Sequence, residues 1–249
     1  MTGQLPFGIF LMIIAVILVL PVSADLEDGL IGYYPFEGKD KVLKDETGNG
    51  NDGQIITAKR TRDGKFGDGL LFDEQSHSAV IHKTERLTVE KEFAVSFWVK
   101  PKKLDHAGEN RAIYKDGQYN IDILSGAGRI EIRVGGVWKG TGPGEKLILD
   151  EWNHIVGTLH KGTASYYTNA AAMGNNNGVG KIAQTDSRIQ IGFMGLNAFV
   201  GVMDDLRIYD RGFDAKEVQE LFEFEPDKPK SVSSLNSLAT SWGAIKRLR

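Results

Sequence analysis

Phe93, Val95, Phe97 and Val99 alternate with Ala94, Ser96, Trp98 and Lys100. This period of two limits the fold more than any other feature of the chain. In an extended backbone successive side chains point to opposite faces, so such a run makes a strand with one face committed to a core. The pattern recurs: Ile130, Ile132 and Val134 alternate with Arg129, Glu131 and Arg133, and Ile189, Ile191 and Phe193 alternate with Arg188 and Gln190. Glycine-rich turns separate the runs, among them Ser125-Gly126-Ala127-Gly128, Gly135-Gly136 and Gly140-Thr141-Gly142-Pro143-Gly144. The 249 residues include 30 glycines spread along the chain, as many short strands joined by turns require. Helix grammar is convincing in one short segment, where Asp214 can cap, Glu217 follows three residues on, and Val218, Leu221 and Phe222 form a stripe. The expected fold is all-β, an antiparallel two-sheet β-sandwich with one short C-terminal helix.

Phe7 to Leu20 is almost wholly apolar, Pro21 ends the run, and Val22-Ser23-Ala24 offers a small-residue cleavage pattern. Residues 1–24 therefore read as a signal peptide, although no Lys or Arg precedes the apolar run. The alternative is an uncleaved anchor, for which Leu5 to Val22 is close to the lower limit of about 18 residues. Residues 25–225 are expected to form the domain, with 25 basic and 32 acidic side chains. Residues 226–249 read as a Pro/Lys/Ser-rich linker and a basic tail, in which Leu238, Trp242 and Ile245 have helical spacing before Lys246, Arg247 and Arg249. Such a tail could meet a membrane surface or a sorting partner, but a helix this short is marginal in isolation. An acidic body argues against nucleic acid as a partner. The absence of cysteine excludes disulfides, thiol nucleophiles and Cys-based zinc sites.

Six segments occur in series: GLIGYYPFEG (29–38), DETGNGNDG (45–53), GKFGDGLLFD (64–73), FAVSFWVKP (93–101), EWNHIVGTL (151–159) and VGVMDDLRIYDRGFDAKEVQELF (200–222). Together they resemble the laminin-G-like, concanavalin A-like jelly-roll domains of bacterial secreted proteins, over about 195 residues from Leu30 to Phe224. The resemblance implies two face-to-face antiparallel sheets, a first strand close to the last, and a closing helix. It also implies a secreted or cell-surface, non-catalytic module that binds carbohydrate or an extracellular protein. The alternatives are a glycoside hydrolase or polysaccharide lyase of the same fold, or a structural, adhesive envelope protein. Two positions depart from the family pattern. Tyr167-Thr168-Asn169-Ala170 lacks the usual hairpin glycine, which argues for another loop path, and Phe72-Asp73-Glu74 lacks the glycine of its turn.

Glucanases of this fold resemble one another in an E-x-D-x-x-E strand, whose carboxylates share a face for acid and nucleophile roles. Here Glu131-Ile132-Arg133 begins such a run and fails, and Asp122 stands alone between Ile121 and Ile123. No catalytic residues are assigned. His77 and His82 would face opposite sides of one strand, and His154 and His160 would lie about 20 Å apart, so the histidines suggest no zinc site.

Calcium, which takes oxygen ligands, is the better metal hypothesis. Along Val200 to Ile208 the regular alternation puts Asp204 in phase with Val202, Leu206 and Ile208, toward the core. A β-bulge at Met203-Asp204, a basic partner or a metal would resolve that conflict. If the first strand lies beside the last, the loop Lys44–Gly53 approaches Asp204, and Asp45, Asn49 and Asn51 could join it around a structural Ca2+. The loop is not an EF-hand, since Ile56 stands where the twelfth-position Glu would be. The competing reading is an Asx-turn loop whose Asp and Asn side chains bond the backbone. For ligand contact, Trp138 in the Gly135–Gly140 segment is the leading aromatic, with Tyr114 and Tyr119 behind it. Trp98 and Trp152 fall in strand segments and are expected in the core.

Overall fold

The computed structural model describes residues 25–74, 76–104, 109–192 and 198–226. The leader reading and nearly all of the tail fall outside these residues. Among them the strands run β1 (Leu30–Tyr34), β2 (Val42–Leu43), β3 (Gly53–Ile55), β4 (Lys59–Thr61), β5 (Gly69–Phe72), β6 (Ala79–Ile81), β7 (Phe93–Pro101) and β8 (Glu109–Lys115). They continue as β9 (Tyr119–Leu124), β10 (Ala127–Val134), β11 (Val137–Gly140), β12 (Asn153–His160), β13 (Thr163–Thr168), β14 (Ala171–Asn177), β15 (Ile189–Ile191) and β16 (Gly201–Tyr209), before helix α1 (Ala215–Glu223).

Two eight-stranded antiparallel sheets result. One has the order β14-β13-β12-β7-β16-β5-β4, with β1 also on β16, and the other has the order β11-β10-β9-β8-β15-β6-β3-β2. This is the expected jelly-roll sandwich. The core between the sheets takes the alternating apolar residues, such as Phe93, Val95 and Phe97 from one and Ile121, Ile130 and Ile132 from the other. The sheets approach closely at Gly128, where a Cβ would stand 1.5 Å from the Tyr166 hydroxyl of the facing sheet. A second apolar layer lies on the far side of the first sheet, where Val218 and Leu221 of α1 cover Ala94, Val156, Tyr167 and Tyr209. The helix begins as its sequence indicates: the Asp214 carboxylate accepts from Lys216 and Glu217 N–H, and Glu217 accepts from Asp214 N–H.

The first and last strands are neighbours, with Tyr34 opposite Leu206 and Leu30 opposite Tyr209. The same edge of β16 also carries β5, from Gly201 opposite Phe72 to Met203 opposite Leu70. Between these partners the strand bulges. Its register on β7 slips between Asp204, opposite Trp98, and Arg207, opposite Ser96, and Asp205 has φ +51°. Met203 on one side and Leu206 and Ile208 on the other therefore all reach the inter-sheet core. This corrects the regular alternation: the bulge falls at Asp205, one residue later than anticipated, and Asp204 leaves the inter-sheet core for the outer side with Trp98.

The Asn169-Ala170 turn also corrects an expectation. The tight two-residue hairpin persists, with Thr168 opposite Ala171 and both turn residues at positive φ, +49° and +64°. Two hydrogen bonds hold it to β12: Asn169 N–H donates to the His154 carbonyl at 2.9 Å, and Asn169 Oδ1 accepts from His154 N–H at 2.8 Å. Ala170 bears the left-handed conformation without glycine's freedom. Ala170→Gly is expected to raise stability by about 0.5–1 kcal/mol in denaturant unfolding; a loss would mean that packing of its methyl group outweighs the strain.

Candidate functional site

The outer face of the second sheet is built by the same alternation that fills the core. With Tyr119, Ile121 and Ile123 pointing inward, Asn120 and Asp122 of β9 point outward, as do Arg129, Glu131 and Arg133 of β10 opposite Ile130 and Ile132. A two-residue turn, Ser125 and Gly126, both at positive φ, fixes the register that puts Asp122 opposite Arg129 and Asn120 opposite Glu131. Trp138 pairs with Arg133 across the β10–β11 hairpin, Tyr114 pairs with Asn120, and Gln190 pairs with Tyr114.

Trp138 and Tyr114 therefore share one face, three strand spacings apart, about 14 Å. Both are half-buried. A guanidinium lies over each ring: Arg133 at 5.4 Å from the Trp138 centroid and Arg111 at 4.6 Å from that of Tyr114. The Tyr114 hydroxyl donates to Asp116 at 2.6 Å. The floor beside them is a polar network. Arg129 Nε donates to Asp122 Oδ1 at 2.9 Å, and its Nη2 reaches Asp122 Oδ2 at 3.2 Å and Glu131 Oε2 at 3.1 Å. Asn120 Nδ2 donates to Asp122 Oδ2 at 2.8 Å, while Asn120 Oδ1 is buried and accepts no hydrogen bond.

Asp122 and Glu131, which were not joined from the sequence, thus meet around one guanidinium. The Asp122 side chain is fully buried, and both carboxylates are committed to Arg129. The arrangement can hold polar groups in place; it does not present an acid to a glycosidic oxygen. Tyr119 is a correction. Its ring lies in the core, 1 % exposed and stacked on Phe93 at 4.9 Å, so it cannot touch a surface ligand. Trp98 is buried as expected, and Trp152 is half-buried under Lys100.

The four oxygen-bearing residues considered for calcium divide into two separate arrangements. Asp45 is buried, and its Oδ1 accepts from Tyr33 N–H at 3.2 Å, Thr47 N–H at 3.1 Å and the Thr47 hydroxyl at 2.7 Å, while its Oδ2 accepts from Asn51 N–H at 3.1 Å. Asn51 Nδ2 donates to the Ile31 carbonyl at 2.7 Å and its Oδ1 accepts from the Thr84 hydroxyl at 2.5 Å. Asn49 Nδ2 also donates to Ile31 O, at 3.3 Å. Asp204 instead serves the 64–68 loop: its Oδ2 accepts from Lys65 and Phe66 N–H at 2.7 and 2.9 Å, and its Oδ1 accepts from Asp205 N–H at 2.7 Å. It fills the gap in the ladder between β5 and β1. Asp45 and Asp204 share no hydrogen-bonding partner, and the oxygens of both face N–H and O–H donors.

Among the described residues, Asp73, Glu74 and His77 bring three potential metal-ligating atoms within 4.8 Å of one another. The cation beside them is the Lys59 ammonium, 3.2 Å from Asp73.

Comparison with known proteins agrees with this architecture. The binding domain of paraclostridial mosquitocidal protein 1 superposes with a TM-score of 0.68 at 17 % identity, over 80 % of this chain and 52 % of that one. Domain 4 of AbnA, a GH43 extracellular arabinanase from Geobacillus stearothermophilus solved with arabinotriose, gives 0.63 at 20 % identity, over 78 % and 98 % of the two chains. The botulinum neurotoxin serotype G binding domain gives 0.61 at 16 %, over 78 % and 50 %. The chain thus spans about half the length of these toxin domains, and at such identities the likeness is one of fold. A search of curated proteins by sequence finds no match. A family profile, Laminin_G_3, described as the concanavalin A-like lectin/glucanases superfamily, matches residues 73–219, more than half of the chain. The chain belongs to that superfamily.

Proposed function

We propose that this protein is a non-catalytic carbohydrate-binding module whose ligand lies across the outer face of the second sheet. The observation that carries the reading is the pair Trp138 and Tyr114, half-exposed on one face with a polar floor between them. Sugar rings present apolar C–H faces that pack on aromatic rings and hydroxyls that need fixed donors and acceptors, and this face offers both. The arabinotriose complex of the AbnA domain supports the same class of ligand on a similar fold. The commitment of Asp122 and Glu131 to Arg129 supports binding over hydrolysis. We read residues 1–24 as an export leader that would place the module outside the cell, and the Lys44–Gly53 loop as a hydrogen-bonded hub rather than a calcium site.

The test is a titration of the full chain against a panel of plant and bacterial oligosaccharides. Trp138→Ala is expected to weaken binding at least about tenfold, the effect of losing one well-packed aromatic contact, with an unchanged unfolding transition. If Trp138→Ala and Tyr114→Ala both bind as the parent does, the ligand does not lie on this face. Binding of an envelope protein with no response to any glycan would move the reading to a protein partner.

A further inference from the structure

We infer that the ligand of this face carries a negative charge and that Arg133 selects for it; the inference rests on the carbohydrate reading above. The arginines of the structure fall into different situations. Arg129 is held by Asp122 and Glu131, Arg207 by Asp205, and Arg211 by Glu217 and Asp28. Arg133 forms no ion pair among the described residues, and its contact is the ring of Trp138. The charges of both Arg133 and Arg111 reach the phenol of Tyr114. Arg133 over Trp138 and Arg111 over Tyr114 thus bring positive charge to the face where a sugar would lie.

A guanidinium stacked on an aromatic ring keeps its N–H edge available, and that edge matches a carboxylate or a sulfate with two parallel hydrogen bonds. The acid at this rim, Asp116, is engaged by the Tyr114 hydroxyl. A neutral sugar would leave the Arg133 N–H groups to water without a clash, so the expected behaviour is a preference rather than an exclusion. Charge-assisted hydrogen bonding of this kind corresponds to roughly ten- to hundredfold in affinity.

The experiment titrates the full chain with three probes: a galacturonate trisaccharide, a sulfated heparin-type oligosaccharide and neutral arabinotriose, each at low and high salt. One of the acidic probes is expected to bind at least about tenfold more tightly than the neutral one, with the advantage shrinking at high salt. Because the heparin-type probe carries carboxylates as well as sulfates, an advantage shared by both acidic probes points to the carboxylate, and an advantage of the heparin-type probe alone points to the sulfate. Arg133→Gln should abolish the preference, read as the ratio of acidic to neutral affinity within the variant, and Arg133→Lys should retain part of the salt-dependent advantage without the two-pronged geometry. Unfolding curves of both variants are expected to match the parent. Equal binding of acidic and neutral probes, or a preference that survives Arg133→Gln, overturns the selection and leaves the carbohydrate reading standing. No binding of any probe overturns both.

Discussion

Asp45→Ala is expected to remove about 3–5 kcal/mol of stability. The carboxylate is 1 % exposed and accepts from three backbone N–H groups, those of Tyr33, Thr47 and Asn51, as well as from the Thr47 hydroxyl. Truncation leaves those N–H groups in or near the interior without an acceptor, at about 1–3 kcal/mol each. The damage would spread, because Tyr33 belongs to the first strand and Asn51 anchors the Ile31 carbonyl of the same strand. For a domain of this size a few kcal/mol lowers Tm by roughly 10 °C. Asp45→Asn, which keeps one acceptor oxygen but turns an NH2 group toward a donor, should fall between parent and Asp45→Ala. Thermal unfolding with added calcium and with a chelator should superimpose for the parent. A calcium-dependent rise in Tm that Asp45→Ala abolishes would show instead that the loop binds the ion. A loss below about 1 kcal/mol for Asp45→Ala would refute the hub, because it falls at the low end for even one orphaned donor.

The fold was legible in the sequence because a period of two and glycine-marked turns suffice to define short amphipathic strands. Asp214 and Glu217 likewise announce α1 through a local capping box. The binding face was only partly legible. Trp138 and Tyr114 were accessible to reasoning as aromatics near turns, whereas Tyr119 was misplaced although it alternates in phase with Ile121 and Ile123, which marks it as a core residue. The Asp122–Arg129–Glu131 network had a usable signal in Ser125-Gly126: a two-residue turn fixes which residues of the flanking strands stand opposite each other. The bulge at Asp205 had an indirect signal, a carboxylate in phase with the core residues of its strand, but nothing local fixed its position. It needs a left-handed backbone at a residue other than glycine, and what favours it is tertiary: apolar residues on both sides of the bulge reach one core, and the N–H groups of the 64–68 loop wait for the Asp204 carboxylate. Regular alternation extrapolated through that point sends Asp204 to the wrong side. The hairpin at Asn169-Ala170 escaped for the same reason, since its hydrogen bonds to His154 come from a strand many residues away.

Acid should loosen the outer layer of the first sheet through His154. The imidazole is 1 % exposed, its Nε2 is 2.8 Å from the Ser96 hydroxyl, and its Nδ1 has no hydrogen-bond partner. It packs against Trp98 at 4.8 Å and Phe222 of α1 at 5.9 Å. Burial, reinforced by the positive charges of Arg207 and Lys65, pushes its pKa down to about 3. The unfolded chain, with an ordinary value near 6.5, therefore binds the proton first as pH falls. This site's contribution is fully present above about pH 6.5 and is lost progressively toward pH 3, at about 1.4 kcal/mol per pH unit. Asp204 tilts the balance the other way. Burial, opposed by its three N–H donors, pushes its carboxyl up to about 7, so the folded state holds a proton that the unfolded chain has released between roughly pH 4 and 7, and stability from this site declines as pH rises through that window. The two sites offset each other in the parent protein, so the His154 effect is read from the difference between parent and His154→Gln. From pH 6.5 to 4.5 the stability of the parent relative to that variant should fall by about 2–3 kcal/mol. Near-ultraviolet circular dichroism and Trp98 fluorescence of the folded protein should hold steady through that interval and change only as pH approaches about 3, because Trp98 stacks on Phe222 at 5.6 Å and the ring, once charged, must leave their company to reach water. Parallel stability curves across this range would mean that His154 takes its proton equally in the folded and unfolded chains, and that the layer between the sheet and α1 is open to water.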